Sequence, residues 1–138
     1  MSILDAHQAG LLLRARLFYV GHKEAVGALI IPGADPIFIK SGIDGGPWGG
    51  TQRGGIPRLP GWAFTQGGPS QGNIATHVEG HAAAIMWQRG CERAVLVVDR
   101  PMCGICSRNL PSALPPRSRL DIISEEEDKT IIWSSHYI

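Results

Sequence analysis

Residues 76–106, THVEGHAAAIMWQRGCERAVLVVDRPMCGIC, carry the succession of elements on which the fold turns. Thr76 reads as an N-cap with Glu79 three positions on, Ala82 to Trp87 are helix-compatible, and Gly90 supplies a stop, so a helix is expected over 76–89. The run AVLVV at 94–98 is continuously apolar, as expected of a strand buried on both faces. After Pro101 a short second helix is expected, starting at 102 or 103 and ending at Leu110. Upstream, VGALII (26–31) and PIFIK (36–40) are β-branched and apolar, and Pro32-Gly33-Ala34-Asp35 between them predicts a hairpin. Two late strands are expected at 120–123 and 130–133, and a first helix at 4–19, where Leu4, Leu11, Leu12, Ala15 and Phe18 or Tyr19 fall near helical spacing and Gly10 is the weak point. That order implies a mixed sheet of five strands covered by helices.

The chain has 138 residues, and its apolar fraction of 43% is ample for one buried core without disulfide staples. No stretch approaches the roughly 18 apolar residues of a membrane span, and the N-terminus shows no basic segment followed by an apolar one, so the chain reads as soluble and unprocessed. Thirteen basic residues against 12 acidic ones give a net charge of +1, which by itself argues against a nucleic-acid partner. The average conceals a local bias: four acids stand together at Glu125-Glu126-Glu127-Asp128, in what reads as a solvated turn, and residues 1–124 then hold 12 basic and 8 acidic side chains. Ten of the 13 basic residues are Arg, the side chain suited to phosphate forks and base stacking. Arg53, Arg58, Arg108, Arg117 and Arg119 are candidates for tracking phosphates, with an ordinary solvated surface as the alternative for each.

Glycine and proline are also concentrated. From Gly42 to Gly72, 15 of 31 residues are one or the other, a density that no regular element survives. Irregular connections of this length inside one domain are lids, binding loops or disordered segments. Trp48, Trp62 and Phe64 argue against plain disorder, so residues 41–75 are expected to form a loop over a site. Trp48 then either walls the pocket and stacks on a base or pins the loop to the core.

Three cysteines are an odd number, and Cys103-Gly-Ile-Cys106 has the spacing of metal or redox chemistry rather than of a disulfide framework. Its two thiols lie about one helical turn apart and can face one point. His77-Val78-Glu79 opens the preceding helix, and at a first turn both polar side chains can project past the helix end. His77, Cys103 and Cys106 are the mixed nitrogen and sulfur set that suits tetrahedral zinc, with a fourth position left for water and Glu79 placed to take a proton from it. Two helix N-termini aimed at one site favour thiolates there. A closed structural zinc site of His77, His81, Cys103 and Cys106 is the bland alternative, and it leaves Glu79 without a role. A capping-box role for Glu79 with Thr76 is a second one. Cys91 after Gly90 reads as a small filler, and His7, His22 and His136 as ordinary surface or core histidines.

His-x-Glu followed by Pro-Cys-x-x-Cys marks zinc-dependent nucleobase deaminases, here with Met102 inserted between Pro101 and Cys103. More narrowly, HVEGHAAAIM and MCGICSRNLPSALP, with VGALII and SGIDGGP upstream, resemble the DddA-like family of bacterial toxin deaminases over roughly 26–134. The resemblance implies a cytidine-deaminase fold, a five-stranded mixed sheet in three α/β/α layers, with one zinc between two helix N-termini. It implies hydrolysis of a cyclic amidine C–N bond, cytosine in DNA becoming uracil, with Glu79 protonating N3 and then the departing amine. It further implies that residues 1–138 are the deaminase domain at the C-terminal, toxic end of a larger secreted effector, monomeric, without a membrane role, acting in the cytoplasm of a target bacterium and neutralised by an immunity protein. In relatives that attack duplex DNA, residues within and after the Cys-x-x-Cys turn enter the base stack; the matching positions are Ile105, where relatives often carry an aromatic, and Arg108. Single strands, which need no unpairing, are an equally open substrate. Deamination of RNA or free cytidine, and a zinc-stabilised binding module without activity, are the competing readings.

Overall fold

The computed structural model describes residues 3–20, 25–41, 77–101, 104–124 and 130–135, with backbone alone at 3–4, 15–20, 105 and 109. The elements are α1 (Ile3–Val20), β1 (Val26–Ile30), β2 (Ile37–Lys40), α2 (Val78–Arg89), β3 (Arg93–Val98), α3 (Gly104–Ala113), β4 (Arg119–Ile123) and β5 (Thr130–Trp133). Five strands form one mixed sheet in the order β2-β1-β3-β4-β5, the expected architecture. β1 runs antiparallel to β2 and β3, β4 is parallel to β3 through the α3 crossover, and β5 returns antiparallel to β4. Among the described residues no helix is long and apolar enough to cross a membrane. Beyond Ser41 the expected 41–75 loop, with Trp48, Trp62, Phe64, Arg53 and Arg58, lies outside the described residues, as does the acidic run at 125–128.

Alternation along the strands divides the core in two. Leu29, Ala94, Leu96, Val98, Leu120 and Ile122 pack against α2 and α3 through Ala82, Ala83, Met86, Leu110 and Ala113. Ile30, Val95, Val97 and Ile123 face the other way and pack with Ala6 of α1. β3 supplies both layers and, past exposed Arg93, is buried throughout. Each large aliphatic side chain buried in this way contributes about 1.5–3 kcal/mol.

α1 departs from its sequence reading in which face it buries. Leu11 and Leu12 are exposed, Leu12 at 75%, while small residues, Ala6 and Gly10, meet the sheet. A Cβ at Gly10 would stand 2.9 Å from Ile123 Cδ1 and 3.0 Å from Val97 Cγ2, so the residue that weakens the helix by propensity is the one that lets it lie close. α3 also runs past its expected end, through Pro111 to Ala113. Proline forfeits the helical bond to the carbonyl of Ser107, an exposed residue, and its own carbonyl accepts from Ser135 N at 2.7 Å and Ser135 Oγ at 3.1 Å.

A polar knot ties α1 to the sheet. Asp121, on β4 and 1% exposed, accepts from Arg119 Nε at 2.6 Å and Nη2 at 2.8 Å, and from His7 Nε2 at 2.8 Å. The ionised carboxylate is an acceptor, so His7 donates. Arg119 also lies 5.2 Å from the Trp133 ring centroid. Arg119 is therefore committed internally rather than offered to phosphate, and His7 is a structural ligand of a carboxylate rather than an isolated histidine. Burial pushes the Asp121 carboxyl up, but the Arg119 and His7 hydrogen bonds and the charge of both outweigh it and hold it below the ordinary carboxylate value.

The sign of the pH effect follows. Unfolded Asp121 titrates near about 3.9 and folded Asp121 lower, so its stabilisation is complete above the unfolded value and is lost as pH falls through the folded one. Asp121→Ala is expected to lower stability by about 3 kcal/mol at pH 7 in urea unfolding, because it strands the buried partners, and to flatten the wild-type loss of stability below about pH 4.

Candidate metal centre

The site is assembled by the return path of the chain. α2 ends at Gly90, in the left-handed region at φ 62°, where Gly90 N and Cys91 N bond back to Trp87 O and Met86 O. The chain then reverses into β3. Twelve helical residues span about 18 Å and six strand residues about 20 Å, so the C-terminus of β3 comes level with the N-terminus of α2. α3 starts from that end of β3. Trp87 Nε1 donates to Ala113 O at 2.7 Å and braces the two helices at their other ends. At the same end of the sheet Asp99 clamps β1 to β3, its Oδ1 accepting from Val26 N and its own N donating to Val26 O, both at 3.0 Å.

Two helix N-termini thus converge. His77 is the N-cap of α2, extended at φ −78° and ψ 158°, and its side chain does not cap the helix. The first helical bond runs from His81 N to His77 O at 2.9 Å. This corrects the expected helix start: Thr76 lies outside the described residues, and Glu79 is the second helical residue rather than the capping-box one. Extended backbone at position 77 directs the imidazole past the helix end. His77 Nδ1 lies 3.2 Å from Cys106 Sγ of α3, and an imidazole nitrogen of His77, the Cys106 sulfur and a Glu79 carboxylate oxygen all fall within 4.8 Å of one another. Cys106 is wholly buried and Glu79 is 6% exposed.

These donors fit zinc. Imidazole nitrogen and thiolate sulfur at two corners of a zinc tetrahedron stand about 3.5 Å apart, close to the spacing found here. Of the residues expected at the site, His77, Glu79 and Cys106 come together. Cys103, the expected third ligand, and Met102 lie outside the described residues, as does Trp48; α3 carries Ile105, whose side chain is not described, and Arg108, which is exposed. His81 is fully buried and is not among the clustered donors, while the closed alternative with His81 also needs Cys103, which lies outside the described residues. Cys91 sits half-buried away from the cluster, its thiol pushed up by burial against the weaker lowering effects of its backbone hydrogen bond and of Arg89.

One residue that shapes the site escapes the motif reading. A Cβ at Gly27 of β1 would stand 2.7 Å from Val78 Cγ1, between His77 and Glu79. An isolated glycine inside a strand is the signal that could have pointed to it.

A five-stranded mixed sheet with a His, Glu and Cys cluster at two helix N-termini defines the class: a cytidine-deaminase-like fold with a candidate metal site. Residues 21–136 match the family model of the SCP1.201-like deaminases, and the chain belongs to that family. The match begins just after α1. No curated protein matches the chain.

The donor set predicts about one zinc per chain by elemental analysis, lost in His77→Ala and in Cys106→Ala. Stripping the metal with a chelator is expected to lower the melting temperature of the wild-type protein and to leave that of Cys106→Ala unmoved.

Proposed function

We propose that the chain hydrolyses cytosine to uracil in DNA and serves as the toxic domain of a bacterial effector, acting in the cytoplasm of a target cell and held in check by an immunity protein. The observation that carries the reaction is the Glu79 carboxylate, buried beside the His77 imidazole and Cys106 Sγ at the meeting of two helix N-termini. His77 and Cys106, with Cys103 one turn before, would hold the zinc. When bound, the metal supplies the Lewis acidity that makes a water nucleophilic near neutral pH.

Glu79 moves the protons. It takes one from the attacking water and passes it to N3 as C4 becomes tetrahedral, then delivers the second to the exocyclic amine, which leaves as ammonia. Water and cytosine are consumed and uracil and ammonia formed. A carboxylate nearly closed to solvent keeps those protons in the site, and the partial positive charge of the α2 and α3 N-termini favours the thiolate form of the cysteines.

DNA is favoured as substrate by the Arg-weighted chain outside the acidic run and by exposed Arg100 and Arg108 on the segments flanking the Cys-x-x-Cys motif. Ile105 and Arg108 are the residues assigned to the base stack, and Trp48 to the wall of the pocket. The protein acts on single strands, duplexes or both, as a monomer.

Purified zinc-loaded protein incubated separately with single-stranded DNA, duplex DNA, RNA and cytidine is expected to form uracil in DNA. Product from RNA or cytidine alone removes the DNA assignment, and no product from any substrate removes the enzyme. Glu79→Gln should lower turnover about 100-fold or more while keeping its zinc.

A further inference from the structure

We infer that Gly27 is a positioning residue for the metal centre: the missing side chain on β1 sets how deeply the start of α2 enters the sheet, and so places His77 and Glu79 against Cys106. The inference rests on the reading of this cluster as a zinc site.

Two atoms nearest the absent Cβ define the role. Val78 Cγ1 is 2.7 Å from it and Val97 O is 2.6 Å from it, whereas ordinary contact begins at 3.4 Å. Val78 is the first residue of α2, 1% exposed, with the ligand His77 on one side and Glu79 on the other. Val97 lies next to the last residue of β3, the strand that runs on through Asp99 to the Cys-x-x-Cys turn. Gly27 is therefore wedged between the two chain segments that carry the halves of the site, opposite Val98 in the β1–β3 register. Leu29, on the same face of β1 two residues on, carries a full side chain into the core under α2. The start of α2 thus packs where a side chain at position 27 would stand, and the glycine is what admits it.

The magnitudes make this specific. To accept a methyl group at position 27, Val78 must retreat from 2.7 Å to 3.4 Å, roughly 0.7 Å, and Val97 O, a backbone atom in the central strand, cannot swing aside as a side chain would. Zinc sites hold their ligand distances to within about 0.2 Å. A displacement of that size at Val78 separates the His77 imidazole from the Cys106 thiolate before it disrupts the hydrophobic layer.

Gly10 provides a matched control. Its absent Cβ is also crowded, at 2.9 Å from Ile123 Cδ1 and 3.0 Å from Val97 Cγ2, but on the α1 side of the sheet, away from the cluster. Gly27→Ala, Val78→Leu and Gly10→Ala are compared with the wild type for zinc affinity by chelator competition, for melting temperature of the metal-free form, and for kcat and KM. All three are expected to melt lower. Gly27→Ala and Val78→Leu should lose about tenfold or more in zinc affinity, with kcat falling more than KM changes, and Gly10→Ala should bind zinc as the wild type does. Should Gly27→Ala fail to fold, Val78→Leu makes the same displacement from the helix side. Unchanged zinc affinity in the variants at positions 27 and 78, or an equal loss in Gly10→Ala, overturns the inference. A wild-type protein that binds zinc but forms no uracil removes the proposed function, while the zinc comparison still decides the positioning role. A wild type that binds no zinc removes both.

Discussion

Everything at the candidate metal centre depends on β3. It is the middle strand of the sheet, buried on both faces beyond Arg93, and it holds α2 and α3 at fixed places because one runs into its start and the other out of its end. A twelve-residue helix and a six-residue strand have nearly equal lengths, so His77 and Cys106, 29 residues apart, meet with their donor atoms 3.2 Å from each other. The hydrophobic layers on either side make that geometry stiff: displacing β3 would expose Leu96 and Val98 to one side and Val95 and Val97 to the other. The meeting of His77, Glu79 and Cys106 is therefore set by the core, and this is what brings two short motifs together.

The parts of the fold that rest on local pattern were legible in the sequence. AVLVV could hardly be other than a doubly buried strand, Gly90 ends α2 in the left-handed conformation its lack of a side chain permits, and β5 falls at the residues expected for it. What escaped was set by partners distant in sequence. His7 meets Asp121 across 114 residues, and nothing near His7 announces that a carboxylate is buried opposite it. α1 misled because pattern reading weights large apolar residues, whereas close approach to a sheet selects small ones; Leu11 and Leu12 face outward and Gly10 faces in. The start of α2 was displaced by one residue for a related reason. A polar side chain at Thr76 reads as a cap, but His77 is the residue whose backbone is extended, and its ring is turned to the cluster instead.

The same distinction separates the two families of interactions in the molecule. On the α1 side, Asp121 accepts hydrogen bonds from Arg119 and His7 within the fold. On the other side, Glu79 is buried next to the donor atoms of His77 and Cys106. Two buried carboxylates thus sit in different settings, Asp121 held by Arg119 and His7 on one side of the sheet and Glu79 clustered with His77 and Cys106 on the other. The candidate ligands themselves were read from residue type and spacing alone, and the structure adds that His81 is not among the converging donors while Glu79 is.

The central claim is that this convergence makes an open zinc site with one imidazole, two thiolates and a position left for water. X-ray absorption at the zinc edge of the loaded protein tests it most directly. The account predicts one nitrogen at about 2.0 Å, two sulfurs at about 2.3 Å and one further oxygen. Two imidazole nitrogens with two sulfurs and no oxygen would contradict it, because that shell belongs to a closed structural site in which Glu79 has no water to act on.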